Sequence, residues 1–183
     1  MAPPPTPEPS KFTPTGFEPA PVFARLWETL KQGDGPLGYP LGSAIVDRNY
    51  ARQPFAQGFM FWWESPQQPQ PIWVIYTPDQ AANQGTGWSR YENKWVSGQP
   101  DYPPACPEAA PPLGPKSGFG VAWCYESGVK DRLGRPLDPE FGSGNVYPKG
   151  AVQYFQGGVM FENPADRQVW ALIDDDRWYR LNY

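Results

Sequence analysis

Gln53-Pro-Phe-Ala-Gln-Gly-Phe-Met-Phe61 returns one hundred positions later as Gln153-Tyr-Phe-Gln-Gly-Gly-Val-Met-Phe161. In both places apolar runs flank Gln57-Gly58 or Gly157-Gly158, the composition of a tight β-hairpin turn. Working outward, four further blocks recur in the same order. Phe23-Ala-Arg-Leu-Trp27 returns as Phe119-Gly-Val-Ala-Trp123, and Leu37-Gly-Tyr-Pro-Leu41 as Leu133-Gly-Arg-Pro-Leu137, both 96 positions on. Ile72-Trp-Val-Ile-Tyr76 matches Val169-Trp-Ala-Leu-Ile173, offset 97, and Trp88-Ser-Arg-Tyr91 matches Trp178-Tyr-Arg-Leu181, offset 90. Five blocks in one order define an internal repeat. The offsets drift in loops, where insertions are tolerated.

Each block has a physical reading. Phe23, Leu26, Trp27 and Leu30 fall at i, i+3, i+4 and i+7, one face of a short helix. The second copy, Phe119 to Leu133, is interrupted by Gly128, which predicts a break there. Leu-Gly-x-Pro stops each helix, because Gly takes the left-handed cap conformation and Pro cannot continue the helix. The hairpin and two more strands follow. In the second copy the last turn is Asp174-Asp175-Asp176; in the first it is a longer loop, Thr77–Gly87. The expected fold is α+β and mostly antiparallel β, with two repeats, each a short helix plus a small β-meander. The expected layout is a Pro-rich spacer at 1–21, unit 1 at 22–97, a Pro-rich linker at 98–117 and unit 2 at 118–183. Such units bury little alone, so they stack or share a core across a pseudo-twofold. The spacer is expected to be unordered unless Phe12 or Phe17 docks on a repeat.

Composition narrows the function. The chain has 183 residues, a net charge of −4, 26 Pro, 19 Gly and nine Trp. Proline concentrates at 1–22 and 98–118, so the aromatic-rich remainder reads as folded rather than disordered. There is no histidine, which removes Ser-His-Asp triads and His-ligated zinc. No apolar run is long enough to span a bilayer, and the acidic balance gives no footprint for nucleic acid. The N-terminus, Met1-Ala-Pro-Pro-Pro-Thr-Pro-Glu-Pro, has neither the basic nor the apolar region of a signal peptide and reads as a polyproline II spacer. Cys106 and Cys124 are the only cysteines. Beside a Pro-rich tether and many Trp they are expected to pair in an oxidising, extracellular setting. That bond is worth about 3 kcal/mol for a loop of this length.

The order Leu-Gly-x-Pro, then Gln-x-Phe-x-x-Gly-x-Met-Phe, resembles the LGFP-type repeat of bacterial secreted and cell-surface proteins. Leu37, Gly38, Pro40, Phe55 and Gly58 carry the likeness in the first copy, and Leu133, Gly134, Pro136, Phe155 and Gly158 in the second. The insert at 77–87 and an extra Trp-bearing strand in each unit depart from that pattern. The resemblance implies a non-catalytic module that attaches proteins to the cell wall or envelope.

The repeat also sorts candidate residues. Those present in both copies serve the fold: Trp27 and Trp123, Trp73 and Trp170, Trp88 and Trp178, with Phe55, Phe155, Met60, Met160, Phe61 and Phe161. Trp62, Trp63 and Trp95 occur once. Trp62 and Trp63 are adjacent on a strand and point to opposite faces, so one faces solvent or a partner. Beside Glu64, Gln67, Gln68, Arg90 and Tyr91, an exposed indole suits the apolar face of a sugar; a buried contact between the units is the alternative. Trp62, Trp63, Tyr91 and Trp95 are therefore the candidate ligand residues. No catalytic residue, cofactor or metal site is expected. Asp174–Asp176 lacks the alternation of a calcium loop. Glu64, Asp79, Glu92, Glu126 and Glu162 need a cleft before any two can act on a glycoside. Ser127-Gly-Val-Lys130 lacks its partner motifs, and Gly33–Gly38 follows a helix rather than a strand. The expected function is extracellular binding of cell-wall or other polysaccharide, or alternatively a protein–protein role in a surface assembly, with no nucleic acid and no membrane insertion.

Overall fold

The computed structural model describes residues 11–65, 70–142 and 149–183. Helix α1 (Pro21–Thr29) starts with proline in its first turn and buries Phe23, Leu26 and Trp27 along one side. Five strands follow: β1 (Ile45–Phe55), β2 (Gly58–Trp63), β3 (Pro71–Tyr76), a short β4 (Gln84–Thr86) and β5 (Trp88–Glu92). Next come α2 (Ser117–Tyr125) and α3 (Val129–Leu133), separated by Gly128 at φ +76°. The break thus falls at the glycine. The chain ends with β6 (Lys149–Phe155), β7 (Gly158–Asn163), β8 (Gln168–Ile173) and β9 (Arg177–Asn182).

The nine strands among the described residues form one antiparallel sheet in the order β4-β9-β8-β7-β6-β1-β2-β3-β5. β1 and β6 join its halves. A single residue, Gly87, separates β4 from β5, so the two ends of the sheet are consecutive in the chain. Gly87 donates to Asp176 O at 2.8 Å and accepts from Tyr76 N–H at 2.9 Å. The sheet is thereby nearly closed into a barrel. The segment read as a long loop, 77–87, contributes the strand that closes it.

Strand alternation divides the side chains into two sets. Tyr50, Phe59, Phe61, Trp63, Trp73 and Ile75 meet Val152, Val159, Phe161, Trp170, Leu172 and Trp178 inside the barrel. Phe61 and Phe161 stack there with centroids 4.2 Å apart. Each such side chain contributes roughly 2–3 kcal/mol by leaving water.

The outer faces carry the helices, and they are exchanged. α1 covers Phe155, Met160, Val169 and Ala171, from the later strands. α2 and α3 cover Phe55, Met60, Ile72 and Val74, from the earlier ones. Each helix thus covers the strands of the other half rather than those that follow it in sequence. The backbone explains the difference. Gly157 N–H donates to Leu37 O and Gln57 N–H to Leu133 O, both at 2.9 Å, so each Leu-Gly-x-Pro segment is tied to the hairpin turn of the other half. Trp27 Nε1 and Trp123 Nε1 lock these segments by donating to Gly38 O and Gly134 O. Both glycines have φ near +70°, which L side chains rarely adopt.

Both proline-rich stretches are held against the fold, the spacer by the Phe12 contact that the sequence allowed for. In the spacer, residues 1–10 lie outside the described residues, but 11–20 are docked. Phe12 packs against Gly38 and Gly157, where a Cβ would collide with its ring. Gln156 Nε2 donates to Thr13 O, and Gln153 Nε2 donates to Glu18 O, each at 2.9 Å. In the linker at 98–117, Cys106 and Ala109 are buried in one cluster with Ile72 and Val74 of the earlier strands and Phe119 and Trp123 of α2. Cys106 and Cys124 form a disulfide that fixes it to that helix. Such bonds persist in oxidising compartments. Among the described residues no helix is long and apolar enough to cross a membrane.

Candidate functional site

The outer face of the earlier strands ends in a cleft of about 390 Å³. Trp62 on β2 and Ile72 on β3 form one wall because they occupy the outward register of paired positions. Gln70 and Asn93, at adjoining ends of β3 and β5, are tied by Asn93 N–H donating to Gln70 O at 2.9 Å. The start of α2 supplies Lys116, Ser117, Gly118 and Phe119; the loop after β5 supplies Trp95 and Asp101; Glu140 closes the cleft. A Cβ at 118 would lie 2.5 Å from Asn93 Oδ1, so a larger residue there would displace that amide.

The indoles are held, not loose. Trp62 Nε1 donates to Gln70 Oε1 at 3.0 Å and Trp95 Nε1 to Pro100 O at 3.3 Å. Their rings are half-buried. Ser117 N–H donates to Asp101 O at 2.6 Å, which joins the Trp95 loop to the helix. Burial pushes the Glu140 carboxyl up to about 7, with the Lys116 ammonium opposing and the Asp101 carboxylate adding to the rise. The cleft thus joins aromatic walls, amide and hydroxyl groups, and two acids, one of which titrates near neutrality.

A second, shallower cleft of about 300 Å³ lies at the matched place beside α1, lined by Ala20, Pro21, Val22, Ala151 and Glu162 among others. At the offsets of the repeat, Trp62 corresponds to Glu162, Lys116 to Ala20, Ser117 to Pro21 and Glu140 to Ala44. The same framework therefore accepts alanine where Glu140 sits, so the fold does not require that half-buried acid.

Of the four candidate residues, the structure brings Trp62 and Trp95 together in this cleft. Tyr91 sits on the same outward face, packed half-buried beside the core rather than lining the cleft. Trp63 is a correction: it is 3% exposed and lies inside the barrel, so it offers nothing to a ligand from solvent. Among the named polar neighbours, Arg90 lies over the Trp73 ring and Glu64 accepts from Asn49 Nδ2. Gln67 and Gln68 lie outside the described residues. Sequence reasoning missed Gln70, Asn93, Asp101, Lys116 and Glu140. Lys116 and Glu140 had an available signal, the unlike residue at the matched position, Ala20 and Ala44. The Asp174–Asp176 turn is engaged in closure: Asp176 Oδ1 accepts from Trp88 N–H, and Asp175 pairs with Arg177, whose hydrogen bonds hold that carboxyl below the usual range. Among the described residues no group of three metal-capable side chains occurs.

Comparison with protein-family models, with curated proteins and with solved structures returns no match.

Proposed function

We propose that the chain is a non-catalytic extracellular module that attaches to cell-wall or other extracellular polysaccharide, built from two LGFP-like units. One observation carries the ligand reading: Trp62 and Trp95 lie together in a cleft with Gln70, Asn93, Asp101 and Glu140. Indoles stack on the apolar faces of sugar rings, while amides and carboxylates bond their hydroxyls. The disulfide suits an oxidising setting outside the cell. The two-unit reading is supported by hydrogen bonds that recur at the offsets of the sequence repeat, such as Trp27 to Gly38 and Trp123 to Gly134.

The test is sedimentation of the purified protein with insoluble peptidoglycan, cellulose and chitin. Retention on one polymer is expected, and Trp95→Ala is expected to lose it without lowering the melting temperature. If no polymer retains the protein, polysaccharide attachment fails and a protein surface becomes the partner to seek for these indoles.

The raised Glu140 carboxyl beside Asp101 favours a second reading, glycoside hydrolysis, in which an acid poised near neutral pH protonates the leaving oxygen. Release of reducing ends from the retained polymer, abolished by Glu140→Gln, would select this reading over simple binding.

A further inference from the structure

The two halves treat one buried glutamine differently. The Gln153 amide is fully engaged: Oε1 accepts from Ala20 N–H at 2.9 Å, and Nε2 donates to Glu18 O and Gly42 O. Gln53, one hundred positions earlier and 0% exposed, holds the matching place at the entrance to α2. Its Nε2 donates to Asp138 O, the match of Gly42, and to Leu113 O, one residue short of the match of Glu18. Those two carbonyls fix which end of the amide faces them. By the repeat, Oε1 is left to Lys116, the match of Ala20. Yet Gln53 Oε1 has no hydrogen-bond partner among the described residues, and neither has Lys116 N–H. Such buried orphans are rare, because each loses its hydration with nothing in return.

The backbone shows what keeps this pair apart. Ala20, at φ −59°, leads into Pro21, whose ring holds an ordinary helical φ at the start of α1. The match of Pro21 is Ser117, at φ +49°, a left-handed conformation that weighs about tenfold against any residue but glycine. With that turn, Ser117 N–H donates to Asp101 O at 2.6 Å. The loop that carries Trp95 is thereby held to the start of α2, since Trp95 Nε1 in turn donates to Pro100 O. Ser117 N–H bonded to Asp101 stands in place of Lys116 N–H bonded to Gln53, one hydrogen bond against another.

We infer that residues 116–118 form a two-position latch on the Trp62–Trp95 cleft. In the position seen, Ser117 holds Asp101 and the Trp95 loop closes the cleft. In the other, Ser117 turns to the helical φ of its match, Lys116 N–H bonds Gln53 Oε1 as Ala20 bonds Gln153, and the Trp95 loop is let go. A ligand stacked on Trp95 selects the closed position; that consequence rests on the cleft reading above.

Amide hydrogen exchange of the full chain, followed residue by residue by NMR, tests the latch without any ligand. In the parent, the Lys116 amide is expected to exchange fast and the Ala20 amide slowly. Ser117→Pro installs the residue of the matched position, has no N–H for Asp101 and cannot take a positive φ. It is expected to slow the Lys116 amide at least about tenfold, the effect of one buried hydrogen bond gained. A Lys116 amide that exchanges as fast as in the parent overturns the inference. If the proline variant does not fold, relaxation dispersion decides. Two-state exchange is expected at 116–118 and the Trp95 indole but not at 20–22, and Ser117→Gly, which removes the penalty of the left-handed φ, should reduce its minor state about tenfold. Flat profiles at 116–118 in the parent overturn it. On whichever polymer retains the parent, Ser117→Pro is expected to bind at least about tenfold more weakly, because the closed position is depleted; undiminished retention overturns the coupling to the cleft. If no polymer retains the parent, the cleft reading fails, and the exchange measurements still decide the latch.

Discussion

Glu140→Gln should flatten the pH dependence of stability between pH 5 and 8. The carboxyl has an ordinary value of 4.5 and is raised to about 7 in the fold, burial being the main cause. Because the folded protein holds the proton more tightly than the unfolded chain, ionisation opposes folding. The sign follows: the stabilisation is fully present below pH 4.5, declines as pH rises, and is lost above about pH 7. At about 1.4 kcal/mol per pH unit, the full difference is somewhat over 3 kcal/mol. For a chain of this size that is on the order of 10 °C in melting temperature. The chain has no histidine, so little else titrates in this window. Glutamine keeps the shape and cannot ionise. Urea unfolding of parent and variant at half-unit steps should show the parent losing stability from pH 5 to 8 while the variant stays level. The variant should be the more stable of the two at pH 8. Parallel profiles would refute the reasoning, since they would mean that Glu140 ionises in the folded protein as it does in water.

Gln153→Ala should cost about 3 kcal/mol and Gln53→Ala about 2, because the first makes three hydrogen bonds to backbone at 18, 20 and 42 and the second makes two, at 113 and 138; chemical denaturation reads both. Hydrogen exchange should also show residues 11–20 released in the Gln153 variant, and continued protection there would contradict the docking. Gly38→Ala should destabilise more than Gly134→Ala, since both positions have φ near +70° but only the first faces a ring, Phe12, within 3 Å of the new carbon; thermal melts compare them. Replacing both cysteines by serine should cost about 3 kcal/mol and show as earlier proteolysis within 98–117, the stretch that the bond holds against α2.

Local chemistry in the sequence was enough to set the elements. Turn glycines placed both hairpins, helical spacing placed α1, Gly128 placed the break between α2 and α3, and the strands came out antiparallel. These features depend on neighbours a few residues apart, so they can be read along the chain. The cysteine pairing was also available there, because only two cysteines exist. Which helix covers which strands was decided only in three dimensions. A helix face at Phe23, Leu26 and Trp27 fits any apolar surface equally well, and backbone bonds from Leu37 and Leu133 to the opposite hairpin turns selected the partner. Trp62 and Trp63 show the same limit. Alternation said that they part company, but barrel closure by β4 decided that Trp63 goes inside and Trp62 lines the cleft. The acids of that cleft, Asp101 and Glu140, lie on separate loops, and no local pattern relates them. Only the docked proline-rich segment and the start of α2 bring them together.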